Sequence, residues 1–338
     1  MSALAANLDA ARSPHGLSAE DARAAFDAMM DGAASHEDMA AFLLALRERG
    51  ETAAEILGAA QALRARMLPV AAPDGAIDIV GTGGDARGTY NVSTCAAFVA
   101  AGAGAKVAKH GNRAVSSKSG SADVLEALGV NLGGGPEKAA LAVREAGVGF
   151  LFAPAHHAAM RHVAPVRKAL GVRTIFNLLG PLCNPANVKR MVLGVYAPEW
   201  LRPIAAVTRE LGAEHVWVVH GAGGLDELST LGPSHVAEMR RDADVRLFSI
   251  ACTDAGVASA DLQHLVGGGP QENAAAIRDV LDGRPSAFRD IVILNAAAAL
   301  VVAGQAEDVR RGAALAASSI DGGAARAALA KLVEISNS

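Results

Sequence analysis

From Ala76 onward the chain alternates short apolar runs with segments of helical periodicity, and this alternation constrains the fold more than any other feature. The apolar runs have the length of buried strands, and helical segments separate most of them. We expect strands at Ile77–Val80, Ala105–Ala108, Val148–Phe152, Met191–Tyr196, His215–Val219 and Val245–Phe248, and helices at Ser93–Ala103, Asp123–Leu128, Pro136–Ala146 and Leu201–Leu211. Such alternation is typical of an α/β domain with a mostly parallel sheet.

Residues 1 to about 70 have helical periodicity only, and no strand pattern. Two of the helices expected there begin with a capping-box signature, at Ser35 and Thr52. The expected helices are Ala19–Met30, Ser35–Arg49 and Thr52–Met67. We therefore predict a small all-helical domain over residues 1–70, joined by a stretch at about 160–187 that crosses back onto it. The large α/β domain would cover residues 71–159 and 188–338 and end in Ala-rich helices.

The composition excludes several classes of function. A net charge of −4 and an aromatic content of 4% argue against a general nucleic-acid surface or a stacking platform. The three cysteines, Cys95, Cys183 and Cys252, are far apart and predict buried thiols in a reducing compartment. The N-terminus lacks the regions of a signal peptide, and the apolar stretch Ile291–Ala306 is too short for a membrane span. A soluble cytoplasmic protein is expected.

The segment KHGNRAVSSKSGSADVLEALG, residues 109–129, carries the strongest chemical signal. Its first half is almost entirely polar or Gly, and an apolar helical pattern begins at Val124. As a loop that enters a helix, it can hold anionic oxygens with N–H groups, hydroxyls and Lys109. Ser117, Ser119 and Gly120 lie just before the helix, which Ser121 or Asp123 would cap. The alternative is a flexible Ser/Gly linker.

A second loop of this kind is IDIVGTGGDARGTYNVST, residues 77–94. Here a strand enters a glycine-rich turn, and a helix opens near Ser93 and Thr94. Glycines allow close backbone approach, successive N–H groups form an anion nest, and the helix start adds its positive dipole. The spacing fits neither the Walker nor the Rossmann pattern, and a purely structural turn is the alternative. Two such loops at the carboxyl edge of the sheet would suit a ligand with two phosphoryl-bearing ends.

Two further segments offer candidate ligands for a metal and for a substrate. Asp226 and Glu227 in HGAGGLDELS are acceptors that suit Mg²⁺ bound to a diphosphate, although an isolated acidic turn is usually solvated. In residues 150–186, one of Arg161, Arg167 and Arg173 could hold a substrate carboxylate, or all three could be surface residues. Asn177, Gly180-Pro181 and Asn184-Pro185 indicate turns rather than chemistry.

No nucleophile elbow, Cys/His dyad or acid–base pair stands out. A reaction whose leaving group departs with the help of a metal would need only positioning and charge stabilisation.

Taken together, these segments resemble the anthranilate phosphoribosyltransferase family. The matching segments, in the same order, are GTGGD, NVST, KHGNRAVSSKSGSADVLEALG, the HH…R…FNLLGPLCNPA stretch, GLDELS and LNAAAAL. The long KHGN segment is highly specific. The resemblance implies a fold similar to that of the pyrimidine nucleoside phosphorylases. It implies transfer of 5-phosphoribose from phosphoribosyl diphosphate to the amine of anthranilate, in tryptophan biosynthesis. It also implies a cytoplasmic homodimer that uses Mg²⁺, with two ions.

The resemblance further implies roles for matching positions, without a certain catalytic acid or base. Donor-binding residues would be Gly81, Thr82, Gly83, Gly84, Asp85, Thr89, Asn91, Val92, Ser93, Thr94, Lys109, Gly111, Asn112, Ser117, Ser119 and Ser121. Anthranilate-binding residues would be Gly81, His110, Asn112, His157, Arg167 and Gly180, with Arg167 on the carboxylate. Mg²⁺ would be held by Ser93, Asp226 and Glu227, directly or through water. One departure is Ala158, where the family often has proline.

Two rival functions can be weighed on the same segments. A pyrimidine nucleoside phosphorylase would carry a segment like SGRGLGHTGGT, and SSKSGSADVLE differs from it. A non-catalytic nucleic-acid-binding relative would lose GTGGD or KHGN and gain basic surface, whereas this chain keeps both motifs and is acidic.

Overall fold

In the computed structural model, the described residues are 4–85, 87–114 and 118–338. The N-terminal part is helical, and side-chain caps start three of its helices. Ser18, Ser35 and Thr52 each accept a hydrogen bond from the backbone N–H three residues later, and Glu55 completes the capping box with Thr52. Helices therefore begin at both positions where the sequence predicted a capping box, with the reciprocal box recorded at Thr52 and a side-chain cap at Ser35. The helices are α1 (Ala5–Arg12), α2 (Ala19–Met30), α3 (His36–Arg49) and α4 (Ala53–Arg64).

A seven-stranded sheet forms the centre of the remaining chain, in the order β3-β2-β1-β4-β5-β6-β7. Strands β1 to β5 are parallel, and β6 and β7 extend the sheet as antiparallel strands. The strands are β1 (Ile77–Gly81), β2 (Val107–Gly111), β3 (Val148–Phe152), β4 (Arg190–Gly194), β5 (His215–His220), β6 (Ser234–Arg240) and β7 (Arg246–Ile250). The predicted α/β class with a mostly parallel sheet is confirmed.

Helices cover both faces of the sheet. They are α5 (Val92–Gly102), α6 (Ser121–Ala127), α7 (Gly135–Glu145), α8 (Ala153–His156), α9 (Ala164–Leu170), α10 (Phe176–Leu182), α11 (Leu201–Glu210), α12 (Cys252–Ala255), α13 (Pro270–Leu281), α14 (Ala287–Val302), α15 (Val309–Asp321) and α16 (Ala324–Asn337). Neighbouring strand residues face two different cores: Val192 lies in the core that contains α5 and α14, whereas Met191 and Leu193 lie in the core that contains α1–α4. Both faces are buried, as in parallel sheets generally.

One strand, β6, was not predicted, because its sequence SHVAEMR contains charged and polar residues. Glu238 in its centre is buried, yet it accepts hydrogen bonds from Trp217 Nε1 and from the guanidinium of Arg246. His215 Nε2 lies 2.9 Å from the same carboxylate. These partners come from the neighbouring strands β5 and β7, so the burial of this carboxylate is stabilised by distant residues.

The segment from residue 158 to residue 182 leaves the sheet and packs on the N-terminal helices. It contains a 3-10 helix (Ala158–His162), α9 and α10. The ring of Phe176 makes an edge contact with Phe26 of α2, with centroids 5.5 Å apart. Arg64 of α4 donates from Nε to the carbonyl oxygen of Leu182 at 2.7 Å. Pro181 lies inside α10, so the Gly180-Pro181 pair, predicted as a turn, is part of a short helix.

The other apolar features are buried. Cys95, Cys183 and Cys252 are buried free thiols, as predicted. The apolar stretch near the C-terminus belongs to α14, which is buried along most of its length. Within the described part of the chain, no helix is long and apolar enough to cross a membrane.

Candidate active site

The candidate site lies where the strand order reverses. From β1 the chain proceeds to β2 and β3 on one side, and then crosses to β4 on the other side. In open α/β sheets, ligands bind outside the carboxyl ends of the strands at such a point. The loop after β1 carries GTGGD, the loop after β2 carries the KHGN segment, and the loop after β5 carries Asp226 and Glu227. The three segments singled out in the sequence therefore end at one edge of the sheet.

The GTGGD loop is bonded directly to the acidic loop. Gly83 and Gly84 have φ angles of +69° and +75°, which glycine adopts without strain. The N–H of Thr82 donates to the carbonyl oxygen of Gly194 at 2.9 Å. The N–H of Gly83 donates to Asp226 Oδ2 at 2.6 Å. The glycine-rich loop, predicted as an anion nest, and the loop that carries Asp226 are thus in direct contact with each other.

Two glycines pack directly against Asp226. Gly81 ends β1, Gly194 ends β4, and the two are paired in register. A Cβ on Gly81 would lie 2.3 Å from Asp226 Oδ2, and a Cβ on Gly194 would lie 1.5 Å from the main-chain oxygen of Asp226. Only hydrogen at both positions permits this approach of the acidic loop. Gly194 was not among the predicted site residues, although a glycine ends the apolar run of β4 just as Gly81 ends that of β1.

The start of α5 brings the next candidates together. Asn91 is the N-cap residue, and the N–H of Ser93 donates to Glu227 Oε1 at 3.0 Å. Lys109 Nζ donates to Ser93 Oγ at 3.1 Å and to the carbonyl oxygen of Ile79 at 2.7 Å. The buried hydroxyl of Thr94 has no hydrogen-bond partner among the described residues. A free hydroxyl at a helix start is available to an anionic ligand.

The acidic pair is electrostatically unfavourable without a cation. Burial, together with the charge of the nearby Asp85, raises the pKa of Asp226 to about 6. Burial and the charge of Asp226 also raise the pKa of Glu227 well above its usual value. Burial lowers the pKa of Lys109, while the surrounding carboxylates oppose that shift. Several carboxylates thus surround one lysine, and a divalent cation with oxygen ligands would relieve their repulsion.

The protein side chains do not complete a metal site by themselves. Among the residues that the structure describes, no group of three or more His, Cys, Asp or Glu side chains could hold an ion. Asp226, Glu227 and the hydroxyl of Ser93 fit Mg²⁺ as hard oxygen donors, with further oxygens supplied by water and by a bound phosphate.

The loop after β2 differs from the prediction in its cap. Gly120 is the N-cap residue of α6, and Ser121 is its first residue, with its Oγ donating to the carbonyl oxygen of Asn112 at 3.2 Å. Asp123 accepts from the N–H of Gly120 at 2.9 Å, so it stabilises the helix start from within the first turn. Of the two capping residues predicted, Asp123 does cap the helix, from its third position, while glycine supplies the extended backbone at the N-cap position itself. A Cβ on Gly111 would collide with the Ser121 hydroxyl.

The remaining donor candidates lie around these loops. Asn91 Nδ2 donates to the carbonyl oxygen of Ser119 at 3.2 Å and so ties the two loops together. Val92 is buried in the first turn of α5, and Thr89 forms an isolated bridge with Val266. Asp85 accepts from the N–H of Arg87 at 3.1 Å. Ser117 lies outside the described residues.

Two histidines form a separate group next to these loops. The rings of His110 and His157 are 5.1 Å apart, and His110 Nδ1 lies 3.1 Å from the carbonyl oxygen of Gly180. The Nε2 atoms of both rings are buried and lack a hydrogen-bond partner among the described residues. Burial lowers the pKa of His110 to about 3 and that of His157 to about 4. Both rings are therefore neutral, and the bond to Gly180 leaves His110 Nε2 as an acceptor.

Arg167 carries a guanidinium that no carboxylate of the described chain neutralises. It lies over the ring of Phe176, with its central carbon 5.3 Å from the ring centroid. Burial lowers its pKa. An arginine without a carboxylate partner can bind a ligand carboxylate by a bidentate pair. No hydrogen bond or ring contact within the described residues joins Arg167 to His110 or Asn112, so the structure does not bring these predicted residues into one contact group.

Three polar residues that support the site were missed. Asp78 in β1 is fully buried; its Oδ1 accepts from the N–H of His110 at 3.3 Å and its Oδ2 from Asn184 Nδ2 at 2.7 Å. Asn184, predicted as a turn residue, is buried and also bonds the carbonyl oxygen of Ala108. Asn295 of α14 bonds both backbone groups of Leu228, next to the acidic pair. Two of them could have been found in the sequence, because Asp78 in IDIV and Asn295 in ILNAAAAL are single polar residues within apolar runs.

Comparison with protein families gives two matches that together cover most of the chain. Residues 8–67 match the helical bundle domain of a glycosyl transferase family, and residues 73–326 match the a/b domain of that family. An anthranilate phosphoribosyltransferase of Parvibaculum lavamentivorans is 56% identical over 95% of this chain and 94% of its own length. The enzyme of that name from Rhizobium meliloti is 57% identical over 95% of both chains.

Solved structures agree with these relatives. The crystal structure of anthranilate phosphoribosyltransferase from Thermus thermophilus is 44% identical and superposes with a TM-score of 0.93, covering 100% of both chains. The Saccharomyces cerevisiae enzyme in complex with PRPP and Mg is 29% identical, with a TM-score of 0.90, and the match covers 99% of this chain and 98% of that one. Sequence identity, coverage and fold all agree, and the chain belongs to the anthranilate phosphoribosyltransferase family.

Proposed function

We propose that this chain transfers the 5-phosphoribosyl group from phosphoribosyl diphosphate to the amine of anthranilate, giving N-(5-phosphoribosyl)anthranilate and diphosphate. The observation that carries the proposal is the joining of three loops at the switch point of the sheet. There, the N–H groups of Gly83 and Ser93 are bonded to Asp226 and Glu227, beside the buried ammonium of Lys109. A diphosphate ester with its metal fits this mixture of N–H donors, hydroxyls, one cation and two carboxylates.

The donor-binding residues would act by position and charge. The GTGGD loop and the start of α5 would bind the diphosphate through N–H groups and the hydroxyls of Ser93 and Thr94. Lys109 would stabilise the negative charge that develops on the leaving group. Asn91, which is bonded to both the second loop and Asn273, would keep these loops in register.

The acceptor would enter from the side of the histidines. The carboxylate of anthranilate would pair with Arg167, and its aromatic amine would lie near His110 and His157. Both imidazoles are neutral, and their free Nε2 atoms can accept an N–H of the amine. An aromatic amine is itself neutral at pH 7, so its lone pair is available for attack without a strong base.

In the reaction, the bond between ribose C1 and the diphosphate oxygen breaks, and a bond from C1 to the amine nitrogen forms. The ribose gains oxocarbenium character, and the proton that the amine loses would pass to the diphosphate product or to water. Positioning of the two substrates and charge stabilisation at the leaving group would supply most of the rate enhancement.

Mg²⁺ would bridge the carboxylates to the diphosphate and neutralise the leaving group. The described side chains offer Asp226, Glu227 and Ser93 as ligands, and the yeast relative solved with PRPP and Mg supports the metal. We propose two ions, one at each of the acidic residues. Titration of the protein with Mn²⁺ as a paramagnetic probe, in the presence of the donor, would count them.

The test of the function is the loss of anthranilate fluorescence on addition of phosphoribosyl diphosphate, with and without Mg²⁺. Rapid loss that requires Mg²⁺ is expected. A folded protein that leaves the signal unchanged would contradict the proposal, and phosphorolysis of pyrimidine nucleosides would then be measured, since that class shares the fold and a phosphate site.

Variants distinguish a metal-binding role of Asp226 and Glu227 from a nonspecific effect of removing two negative charges. Asp226→Ala combined with Glu227→Ala should reduce turnover at least about a thousandfold, because it removes the carboxylate ligands of the metal. The matched control is Asp242→Ala combined with Asp244→Ala, which removes two exposed carboxylates from the turn between β6 and β7. The control should retain wild-type turnover. Near-normal Mg²⁺-dependent activity in the first pair would exclude the metal role.

Three further proposals concern organisation. The division into a helical domain over 1–70 with 160–187, and an α/β domain over 71–159 and 188–338, is supported by the packing of α10 on α2. A homodimer through the helical part and a cytoplasmic location are supported by the family. Limited proteolysis, sedimentation equilibrium and cell fractionation test these three in turn.

A further inference from the structure

Arg173 connects the helical part of the molecule to the GTGGD loop. It lies between α9 and α10, in the segment that packs on the N-terminal helices, and the residues Thr174, Ile175 and Phe176 that follow it are buried there. Its own side chain extends away from this anchor. One of its terminal nitrogens donates to the carbonyl oxygen of Gly84, 89 residues distant in sequence.

A second contact fixes the orientation of the same guanidinium. It stacks over the ring of Tyr196, with its central carbon 4.5 Å from the ring centroid. Tyr196 follows β4, and its N–H donates to Thr82 Oγ1 at 3.2 Å, so the ring belongs to the same loop assembly. A planar guanidinium held on an aromatic face presents its N–H groups in one plane, which suits a directed bond to Gly84.

The bond to Gly84 determines which way the next peptide group faces. The peptide bonds of the described chain are trans, so the N–H of Asp85 points opposite to the carbonyl oxygen of Gly84. Since Arg173 occupies the carbonyl side, that N–H lies on the other face of the loop. Gly84 has a φ of +75° and follows a second glycine, Gly83, so the backbone itself restricts this peptide little and an external contact selects its orientation.

We propose that Arg173 is a positioning residue that sets the Gly84–Asp85 peptide for donor binding and thereby makes the donor loop depend on the segment packed on the helical bundle. The inference rests on the proposed function, because it names the loop that binds the diphosphate. Arg173 is bonded to Gly84 and stacked on Tyr196, so we assign the substrate carboxylate to Arg167 instead.

The first experiment is independent of any substrate. In the ligand-free protein, Arg173→Gln should accelerate amide hydrogen exchange in residues 82–85 at least about tenfold, because the removed contact is a charge-assisted hydrogen bond. Exchange in α16, which packs on α5 and α7, should not change. Unchanged exchange in residues 82–85 would overturn the inference whether or not the protein proves to be a transferase.

The second experiment measures equilibrium binding of phosphoribosyl diphosphate with Mg²⁺ by calorimetry. Arg173→Gln should weaken donor binding at least about tenfold, and Arg173→Lys should recover only part of this loss, because lysine keeps the charge without the planar fork. Tyr196→Leu should weaken donor binding through the same contact. In the variant that combines Arg173→Gln with Tyr196→Leu, the loss of binding free energy should therefore be smaller than the sum of the two single losses.

The matched control is Arg202→Gln, which removes an exposed arginine six positions after Tyr196, at the start of α11. It should leave donor binding and loop exchange at wild-type values. A purely structural role for Arg173 would lower the melting temperature without changing the donor dissociation constant, and that result would overturn the inference. Absence of donor binding in the wild-type protein would instead contradict the proposed function, and the exchange experiment alone would then decide on Arg173.

Discussion

The glycine pair beneath Asp226 allows one substitution to test the geometry of the whole site. Gly194 has an ordinary strand conformation, so alanine is allowed by its backbone and the effect of Gly194→Ala is purely steric. The added methyl group would lie 1.5 Å from the main-chain oxygen of Asp226 and 2.3 Å from its carbonyl carbon. Both atoms are backbone, so the clash cannot be relieved by rotation of a side chain.

The magnitude follows from these distances. Ordinary van der Waals contact begins near 3.4 Å, so the acidic loop must move by about 2 Å from Gly194. Misplacement of a catalytic group by about 1 Å costs about a hundredfold in rate, which sets the smallest expected loss in kcat/KM. Overpacking of a buried contact also lowers the free energy of unfolding, by about 1–3 kcal/mol. A domain of ordinary stability, about 5–15 kcal/mol, stays folded after such a loss, so the fall in kcat/KM would report the displaced acidic loop rather than unfolding.

The assay is the steady-state rate of anthranilate consumption at several Mg²⁺ concentrations, beside urea unfolding. Gly194→Ala should raise the Mg²⁺ concentration needed for half-maximal rate as well as lower kcat/KM. The control is Gly269→Ala, because a Cβ at Gly269 meets no atom within 4 Å and its φ is −72°. If Gly194→Ala is folded and retains kcat/KM within about threefold of the wild type, the role of the glycine pair is refuted.

Three further predictions use other parts of the structure. Burial holds the pKa of His157 at about 4, below its unfolded value, so its contribution to stability is present above pH 6.5 and lost on acidification. Protonation of His157 in the unfolded state should lower the free energy of unfolding by about 2 kcal/mol between pH 7.5 and pH 5. In urea titrations, the free energy of unfolding of His157→Gln should therefore depend less on pH than that of the wild type, and an equal pH dependence would contradict the prediction. Glu238→Gln should destabilise by about 2 kcal/mol in urea unfolding, because the buried acceptor of Trp217 Nε1 loses its charge. Arg246→Gln at the exposed end should cost less than about 1 kcal/mol, and comparable losses would contradict this network. Arg167→Gln should raise the KM for anthranilate at least about tenfold while the KM for the donor is unchanged. Aniline, which lacks the carboxylate, should react at the same rate with both proteins, and a slower reaction with the variant would contradict the assigned role.

The elements that were predicted correctly are those whose signals are local. The capping residues Ser35 and Thr52 located two helix starts because a cap uses atoms within one turn. The run Val148–Phe152 was predicted with its observed bounds, since it is continuously apolar. In contrast, β6 was missed because the partners that stabilise Glu238 lie in β5 and β7, and no local pattern records them.

The same distinction applies to the candidate site. The loops could be located because Gly, Ser, Lys and acidic residues cluster in short segments. The contacts between the loops could not be predicted, because they join residues far apart in sequence. Asp226 packs on Gly194, 32 positions earlier, and Asn184 bonds Asp78, 106 positions earlier, and Ala108 of β2, 76 positions earlier. Arg173 was one of three candidates for a carboxylate receptor, and only its contacts with Gly84 and Tyr196 distinguish it from Arg167.

The edge contact between Phe26 and Phe176 bears on how the chain folds during synthesis. Phe26 leaves the ribosome about 150 residues before the aromatic ring that covers it. At about 5–20 residues per second, this interval lasts roughly 8–30 s. During that time helices α2 to α4 expose the apolar surface that α9 and α10 later cover, on a nascent chain too short to bury it. A chaperone that binds apolar segments as they emerge would therefore be expected to engage residues 19–64 first and to release them once α10 has been made.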